Sequence, residues 1–204
     1  DNATTVADAL ACADDACYAA KAAGRDRFAV FSAEAVSGGL NAARLAADTV
    51  DAMEDGRLRL FGQEIHRLGR PWQENRHVEV LARLVGRGGQ LIPPGEFIEL
   101  AERTGLIRPL SHWVLQTALR LGQEVRSAHH QTVPIAVNLS ARNLRDEGLV
   151  THIRGLQAAC SANGAGLLEI EITESTAMED PEFALRVLHE LRALGIPLHI
   201  DDFG

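Results

Sequence analysis

The chain alternates between short apolar runs and longer stretches in which apolar residues recur every three or four positions. Runs such as PIAVNLS (134–140) and LLEIEITES (167–175) predict buried strands. The stripe of Phe183, Val187 and Leu191 is typical of a helix with one buried face. Because strands and helices follow each other in turn, the pattern predicts an α/β fold with a parallel sheet and right-handed crossovers.

The ends of the predicted helices carry recognisable capping signals. Asp180 precedes Pro181 at the start of one helix, and Gly195 follows its last apolar residue. A second helix opens with the prolines of PPGEFIELAERTGLI and closes at Gly105. In the first part of the chain we predict a helix over 5–23, a strand over 27–31, a linker over 32–41 and a helix from about Ala42 to Met53.

Composition excludes several classes of protein. Twenty basic and 28 acidic residues give a formal charge of −8, which argues against a protein that binds duplex nucleic acid through its phosphates. We expect no membrane segment, because no apolar run approaches the roughly 18 to 20 residues that span a bilayer. The three cysteines, Cys12, Cys17 and Cys160, lack CxxC spacing, so we expect reduced core residues and a cytoplasmic protein.

Oxygen-bearing side chains stand at the ends of four predicted strands: Glu79, Asn138, Glu171 and Asp201. The intervals between them are 59, 33 and 30 positions, and one strand-helix unit takes about 30 residues. We therefore expect the four side chains at one rim of the sheet, where carboxylate and amide oxygens suit Mg²⁺ or Mn²⁺. Asp202 could reach a second ion, as in two-metal phosphodiester hydrolysis. Any one of these side chains, taken alone, is more often a cap or a turn residue than a metal ligand.

Several motifs in a fixed order resemble one family. EVLAR (79–83), LIPPGEFIELAERTGLI, NLS, EITES and DDFG are similar to the signature of the EAL-domain cyclic di-GMP phosphodiesterases, with Val80 and Leu84 departing from the usual residues. The resemblance covers residues 57–204, the N-terminal part of such a domain. Residues 1–33 resemble the C-terminal tail of a GGDEF domain, and 34–56 would then be a linker and connecting helix.

The resemblance implies a modified TIM-type barrel of which this sequence supplies the first four parallel strands. It also implies metal-dependent hydrolysis of cyclic di-GMP to linear pGpG, with two Mg²⁺ or Mn²⁺ ions as cofactors. The site residues that it implies are Glu79, Asn138, Glu171 and Asp201 for the first metal, Asp202 for the second, Glu174 for support of the loop after DDFG, and Gln63 and Arg83 for substrate contacts.

Family members continue past DDFG with further catalytic residues, so the resemblance implies that the 204-residue chain by itself is poorly active or inactive. Half a barrel also leaves open strand edges, from which we expect self-association or a homodimer. Two alternatives stay open: a degenerate EAL module that binds cyclic di-GMP as a receptor, and an interaction module without nucleotide affinity. His199 shares the side of its strand with Asp201, and we expect a satisfied core histidine there, with support of the metal site as the minority interpretation.

Overall fold

The computed structural model describes residues 33–66, 76–160 and 167–201. The chain divides into two units, Asp1–Asp48 and Thr49–Gly204. Several expectations lie outside the described residues, among them the helix over 5–23, the strand over 27–31, and the cysteines Cys12 and Cys17.

In chain order, the elements are α1 (Ala33–Asp55), β1 (Leu58–His66), β2 (Arg76–Val85), β3 (Leu91–Ile92), α2 (Pro94–Thr104), α3 (Ile107–His129), β4 (Ile135–Asn138), α4 (Ala141–Leu144), α5 (Leu149–Ala159), β5 (Leu168–Thr173), α6 (Glu174–Glu179), α7 (Pro181–Ala193) and β6 (Leu198–Asp201).

Helix α1 corrects the prediction of a linker over 32–41. It begins at Ala33 and continues through Gly38 and Gly39, so the predicted linker over 32–41 is wrong from Ala33 onward. Glycine costs about 1 kcal/mol relative to alanine inside a helix, and the alanine-rich sequence on both sides of the glycine pair favours a continuous helix.

The sheet confirms the α/β class and its four parallel strands. Its order is β1-β2-β4-β5-β6, and β2, β4, β5 and β6 run parallel to one another. Strand β1 pairs antiparallel with β2, as does the short β3. A parallel pair needs a crossover of a dozen or more residues, and only residues 67–75 separate β1 from β2.

The two faces of the parallel strands differ sharply in polarity. On β5, Leu168, Ile170 and Ile172 are buried in the hydrophobic core, whereas Glu169 and Glu171 lie on the opposite face. The core also contains apolar residues of β4 and of the helices, namely Ile135, Val137, Leu115, Leu119, Ile153, Val187 and Leu191. One face of the sheet is therefore filled by helix packing, and the other presents polar side chains.

The helix ends agree with the sequence signals. Asp180 caps α7, since its side chain accepts a hydrogen bond from the backbone N–H of Phe183 at 3.3 Å. Gly105 and Gly195 follow helices α2 and α7 with φ of 79° and 78°, where a side chain would be strained. Cys160 is buried, as expected, and burial raises the pKa of its thiol. Through the described part of the chain, every helix is too short or too polar to cross a membrane.

Candidate metal and substrate site

The register of the parallel strands brings the four candidate ligands into one layer. Glu79 on β2 lies opposite Ala136 on β4, and Asn138 is the next residue on the same face of β4. Asn138 lies directly opposite Glu171 on β5. Glu171 in turn lies opposite His199, and Asp201 is the next residue on that face of β6. A stagger of this kind is expected of tilted strands in a barrel-like sheet.

Two hydrogen bonds hold the middle of this layer together. The Asn138 side-chain amide donates from Nδ2 to Oε1 of Glu79 at 2.6 Å, across the β2-β4 pair. The backbone N–H of Leu139 donates to the carbonyl of Glu171 at 2.9 Å, which anchors the end of β4 beside β5. Because Nδ2 of Asn138 serves Glu79, its Oδ1 atom is the one that remains to act as a ligand.

The electrostatics of Glu171 reflect the same convergence. Burial raises the pKa of this carboxyl most, and the negative charges of Glu79 and Asp201 raise it further, while His199 acts in the opposite direction. The negative charges that raise the pKa of Glu171 also attract a cation to this layer. The donor set consists of carboxylate and amide oxygens, which fits Mg²⁺ or Mn²⁺.

The side chains in the described ranges do not by themselves form a complete set of metal ligands. Among them, no group of three or more His, Cys, Asp and Glu side chains is arranged to hold a metal ion. Asp202, which the sequence suggests for a second ion, lies outside the described residues. Glu174 is the exposed first residue of α6, and the loop that it is expected to support also lies outside them.

The two predicted substrate contacts flank this layer on β1 and β2. Gln63 lies directly opposite Glu79 across the antiparallel pair. Arg83 lies four positions after Glu79 on the same face of β2. Its Nη1 atom donates a hydrogen bond to the carbonyl of Ala82 at 2.9 Å. Its guanidinium carbon lies 5.9 Å from the centre of the Phe61 ring, which is 47% exposed. Sequence reasoning missed Phe61, although an aromatic residue two positions before Gln63 on a strand must share its face.

A cavity of about 480 Å³ adjoins the site, a size within the usual range of ligand pockets. Its lining includes Arg83 and Asn138 of the candidate site, together with Ser140 just before α4 and Thr173 at the end of β5. Apolar residues of α2 and α3 line the remainder, among them Ile98, Ile107 and Leu110. The site therefore combines an acidic centre with a partly apolar recess that carries a guanidinium group.

A second polar group lies one layer beneath the candidate ligands and was only partly foreseen. His77, Glu169 and His199 precede Glu79, Glu171 and Asp201 by two positions each, on the same strand faces. Oε2 of Glu169 lies 2.9 Å from Nδ1 of His77 and 3.3 Å from Nε2 of His199. The expectation of a core histidine is wrong for His199, whose side chain is 46% exposed, but its position beneath Asp201 is confirmed.

The chain is similar in sequence to proteins of one family. The family model described as "EAL domain" matches residues 49–204, and it begins inside the segment 34–56. The bifunctional diguanylate cyclase/cyclic di-GMP phosphodiesterase MucR of Pseudomonas aeruginosa is 36% identical over 192 residues, which is 94% of this chain and 28% of that protein. The cyclic di-GMP phosphodiesterase PdeR of Escherichia coli is 34% identical over 193 residues, again 94% of this chain and 28% of that protein. The chain thus spans less than a third of these relatives.

Solved structures show the same similarity in three dimensions. The PaMucR phosphodiesterase in its c-di-GMP complex superposes with a TM-score of 0.71 at 38% identity, covering 79% of this chain and 64% of that one. The FimX EAL domain of Pseudomonas aeruginosa, bound to c-di-GMP, superposes with a TM-score of 0.70 at 27% identity, covering 78% of this chain and 62% of that one. Both similarities support the α/β fold of this chain, with its mostly parallel sheet.

Proposed function

This chain belongs to the EAL domain family, and on that premise we propose that the protein containing it hydrolyses cyclic di-GMP with the help of divalent cations. The observation that carries the proposal is the convergence of Glu79, Asn138, Glu171 and Asp201 from four parallel strands, with a raised pKa at Glu171. Relatives named as cyclic di-GMP phosphodiesterases, at 36% and 34% identity, support the choice of substrate.

The acidic centre would hold the cation through oxygen atoms of its four side chains. Glu79 is kept in place by the amide of Asn138, which leaves the second oxygen of the Glu79 carboxylate, Oε2, clear of that bond. Repulsion among the three carboxylates disfavours the ionised form of Glu171, so cation binding is expected to lower its pKa. Mg²⁺ or Mn²⁺, bound as a pair with Asp202 as a further ligand, would activate a water molecule and neutralise charge on the phosphoryl oxygens.

The residues of β1 and β2 would bind the dinucleotide. Arg83 uses one N–H for the Ala82 carbonyl, and its other donors match the geometry of a phosphate. Phe61 offers an exposed ring beside that guanidinium, and nucleobases stack well on such rings. Gln63, opposite Glu79, can hydrogen-bond to the substrate next to the acidic centre. The adjoining cavity gives space for part of the ligand.

The proposed reaction consumes one water molecule and breaks one phosphodiester bond. The water oxygen forms a bond to phosphorus, the bond from phosphorus to the ribose 3′ oxygen breaks, and that oxygen takes up a proton. The product is the linear dinucleotide pGpG. Arg83 would stabilise the negative charge that develops on the phosphate, as preorganised donors do in phosphoryl transfer.

The test is hydrolysis of cyclic di-GMP by the full-length protein with and without MnCl₂, followed by chromatography of the nucleotides. The variant Glu79→Gln keeps the size of the side chain and removes a candidate ligand charge, and Glu182→Gln on the exposed face of α7 is the matched control. We expect Mn²⁺-dependent formation of pGpG by the wild type and Glu182→Gln, and none by Glu79→Gln.

Three results would contradict the proposal. Binding of cyclic di-GMP without turnover by the wild-type protein would identify a receptor instead of an enzyme. Absence of both binding and turnover would leave an interaction module. Activity that persists in Glu79→Gln and in the presence of a chelator would show that the acidic centre is not where hydrolysis occurs.

A further inference from the structure

The layer beneath the candidate ligands joins strands that are not neighbours in the sheet. His77 on β2 and Glu169 on β5 are separated by β4, yet Nδ1 of His77 lies 2.9 Å from Oε2 of Glu169. The residue between them on β4 is Ala136, which is opposite Glu169 in the register. Its methyl group leaves room for a longer side chain to pass from β2 to β5.

Glu169 is the centre of this layer. Its side chain is only 9% exposed, and a buried carboxylate is stable only when its oxygens accept hydrogen bonds. His77 supplies one such bond from β2, and His199 supplies a longer contact at 3.3 Å from β6. Because a carboxylate oxygen accepts, the facing nitrogen of each imidazole is the donor.

Backbone hydrogen bonds fix the register of the strands, but they do not fix how strongly the sheet curves. Curvature also depends on contacts between side chains on one face, and the bond between His77 and Glu169 spans two strand spacings on the polar face of this sheet. Each of these three residues stands two positions before a candidate ligand on its own strand. His77 precedes Glu79, Glu169 precedes Glu171, and His199 precedes Asp201. A change in curvature at this layer is therefore transmitted directly to the distances among the three ligand carboxylates.

We propose that Glu169 is a positioning residue for the metal centre, which acts through its hydrogen bond to His77 and its ion-pair contact with His199 and sets the spacing of Glu79, Glu171 and Asp201. The inference rests on the proposed function, because it assumes that these carboxylates hold a divalent cation. In this role Glu169 contacts neither the cation nor the substrate. Residues that orient metal ligands from behind affect metal affinity more than they affect substrate binding.

The first measurement is the dissociation constant of Mn²⁺ by isothermal titration calorimetry on the full-length protein, compared with the Glu169→Gln variant. Glutamine keeps the shape of the side chain but offers one acceptor oxygen with no charge to the two imidazole donors. We expect the Kd for Mn²⁺ to rise about 10-fold to 100-fold, the effect typical of residues behind metal ligands. The matched control is Glu190→Gln on the exposed side of α7, for which no change is expected.

Enzyme kinetics separate positioning from a general loss of structure. At low Mn²⁺ concentration we expect a reduced kcat for Glu169→Gln, and at saturating Mn²⁺ we expect kcat to return towards the wild-type value. The KM for cyclic di-GMP should stay within about twofold, because Glu169 makes no contact with the substrate face of Arg83 or Gln63. A variant that is merely less stable would also gain folded protein from added Mn²⁺, but its melting temperature without Mn²⁺ would be lower and its folded fraction would keep the wild-type Kd for Mn²⁺.

The histidine variants keep the inference testable if Glu169→Gln does not fold. His77→Gln and His199→Gln should each weaken Mn²⁺ binding, with the larger effect at His77 because its bond to Glu169 is shorter. His77→Gln combined with His199→Gln should show non-additive effects, since both residues act on one carboxylate. His189→Gln, an exposed histidine of α7, is the control.

The outcomes distinguish this inference from the function on which it rests. If the wild-type protein binds no Mn²⁺ and hydrolyses nothing, both are wrong. If the wild type binds Mn²⁺ and hydrolyses cyclic di-GMP but the Glu169 and His77 variants match it in Mn²⁺ affinity, the proposed function stands and the positioning inference is wrong.

Discussion

Asp146, in the segment that joins β4 to α5, is the residue whose replacement we expect to test the packing around the site most clearly. Its side chain is 5% exposed and receives a hydrogen bond from Nε2 of His112 at 2.9 Å. The backbone N–H of Gly148 donates to Oδ1 at 2.9 Å, and Nε of Arg108 lies 3.1 Å from Oδ2. The carboxylate thus fastens this segment, which follows Asn138, to the start of α3.

The magnitude for Asp146→Ala follows from these contacts. Hydrogen bonds to a charged group contribute about 1.5–3 kcal/mol each, and the two bonds from His112 and Gly148 are shielded from solvent by burial of the carboxylate. The Arg108 side chain is 61% exposed, so its ion pair adds about 0–1 kcal/mol. Allowing for partial relaxation of the donors, we expect a loss of about 3 kcal/mol in the free energy of unfolding.

Urea denaturation followed by circular dichroism measures this loss. The matched control is Glu147→Ala, the exposed neighbouring acid, which we expect to change the free energy of unfolding by less than about 0.5 kcal/mol. If Asp146→Ala and Glu147→Ala were equally stable, the assignment of three stabilising contacts to Asp146 would be wrong.

Three further predictions concern the core, the pH dependence and the substrate. Ile153→Ala, at a fully buried position of α5, should lower the free energy of unfolding by about 2–5 kcal/mol in the same denaturation assay. Burial, and then the charge of His112, lower the pKa of His152 below its unfolded value of 6.5. The contribution of His152 to stability is therefore complete above pH 6.5 and is lost as the pH falls below 6.5. A His152→Gln variant should show a flatter decline in melting temperature between about pH 7 and 5. Arg83→Ala should raise the KM for cyclic di-GMP about 10-fold to 100-fold, as expected for loss of a charge-assisted hydrogen bond. The control Arg192→Ala should leave KM unchanged. Equal KM values for the two variants would show that Arg83 does not contact the substrate.

Local sequence patterns predicted the elements that position the site. The buried alternation of β5 separates Ile170 and Ile172 from Glu169 and Glu171, and a period of two is visible in the sequence without knowledge of the fold. Gly105 and Gly195 ended helices where predicted because few other residues adopt a positive φ at low cost. The spacing of the four oxygen-bearing residues predicted one layer, since parallel strands end at the same edge.

Other features depend on contacts that no local pattern reveals. The bond between His77 and Glu169 joins positions 92 residues apart, on two strands that are separated by β4. Helices α4 and α6 are too short to show a helical period. The start of α1 was missed because two adjacent glycines resemble a linker, although alanines on either side of them favour a helix.

The most direct test of the central claim is anomalous diffraction at the manganese absorption edge from crystals of the full-length protein grown with MnCl₂. We predict a strong anomalous peak within coordination distance of oxygen atoms of Glu79, Asn138, Glu171 and Asp201, and its loss in crystals of Glu79→Gln. A peak elsewhere, or none at this layer while the protein hydrolyses cyclic di-GMP, would contradict the assignment of these four side chains as the metal ligands.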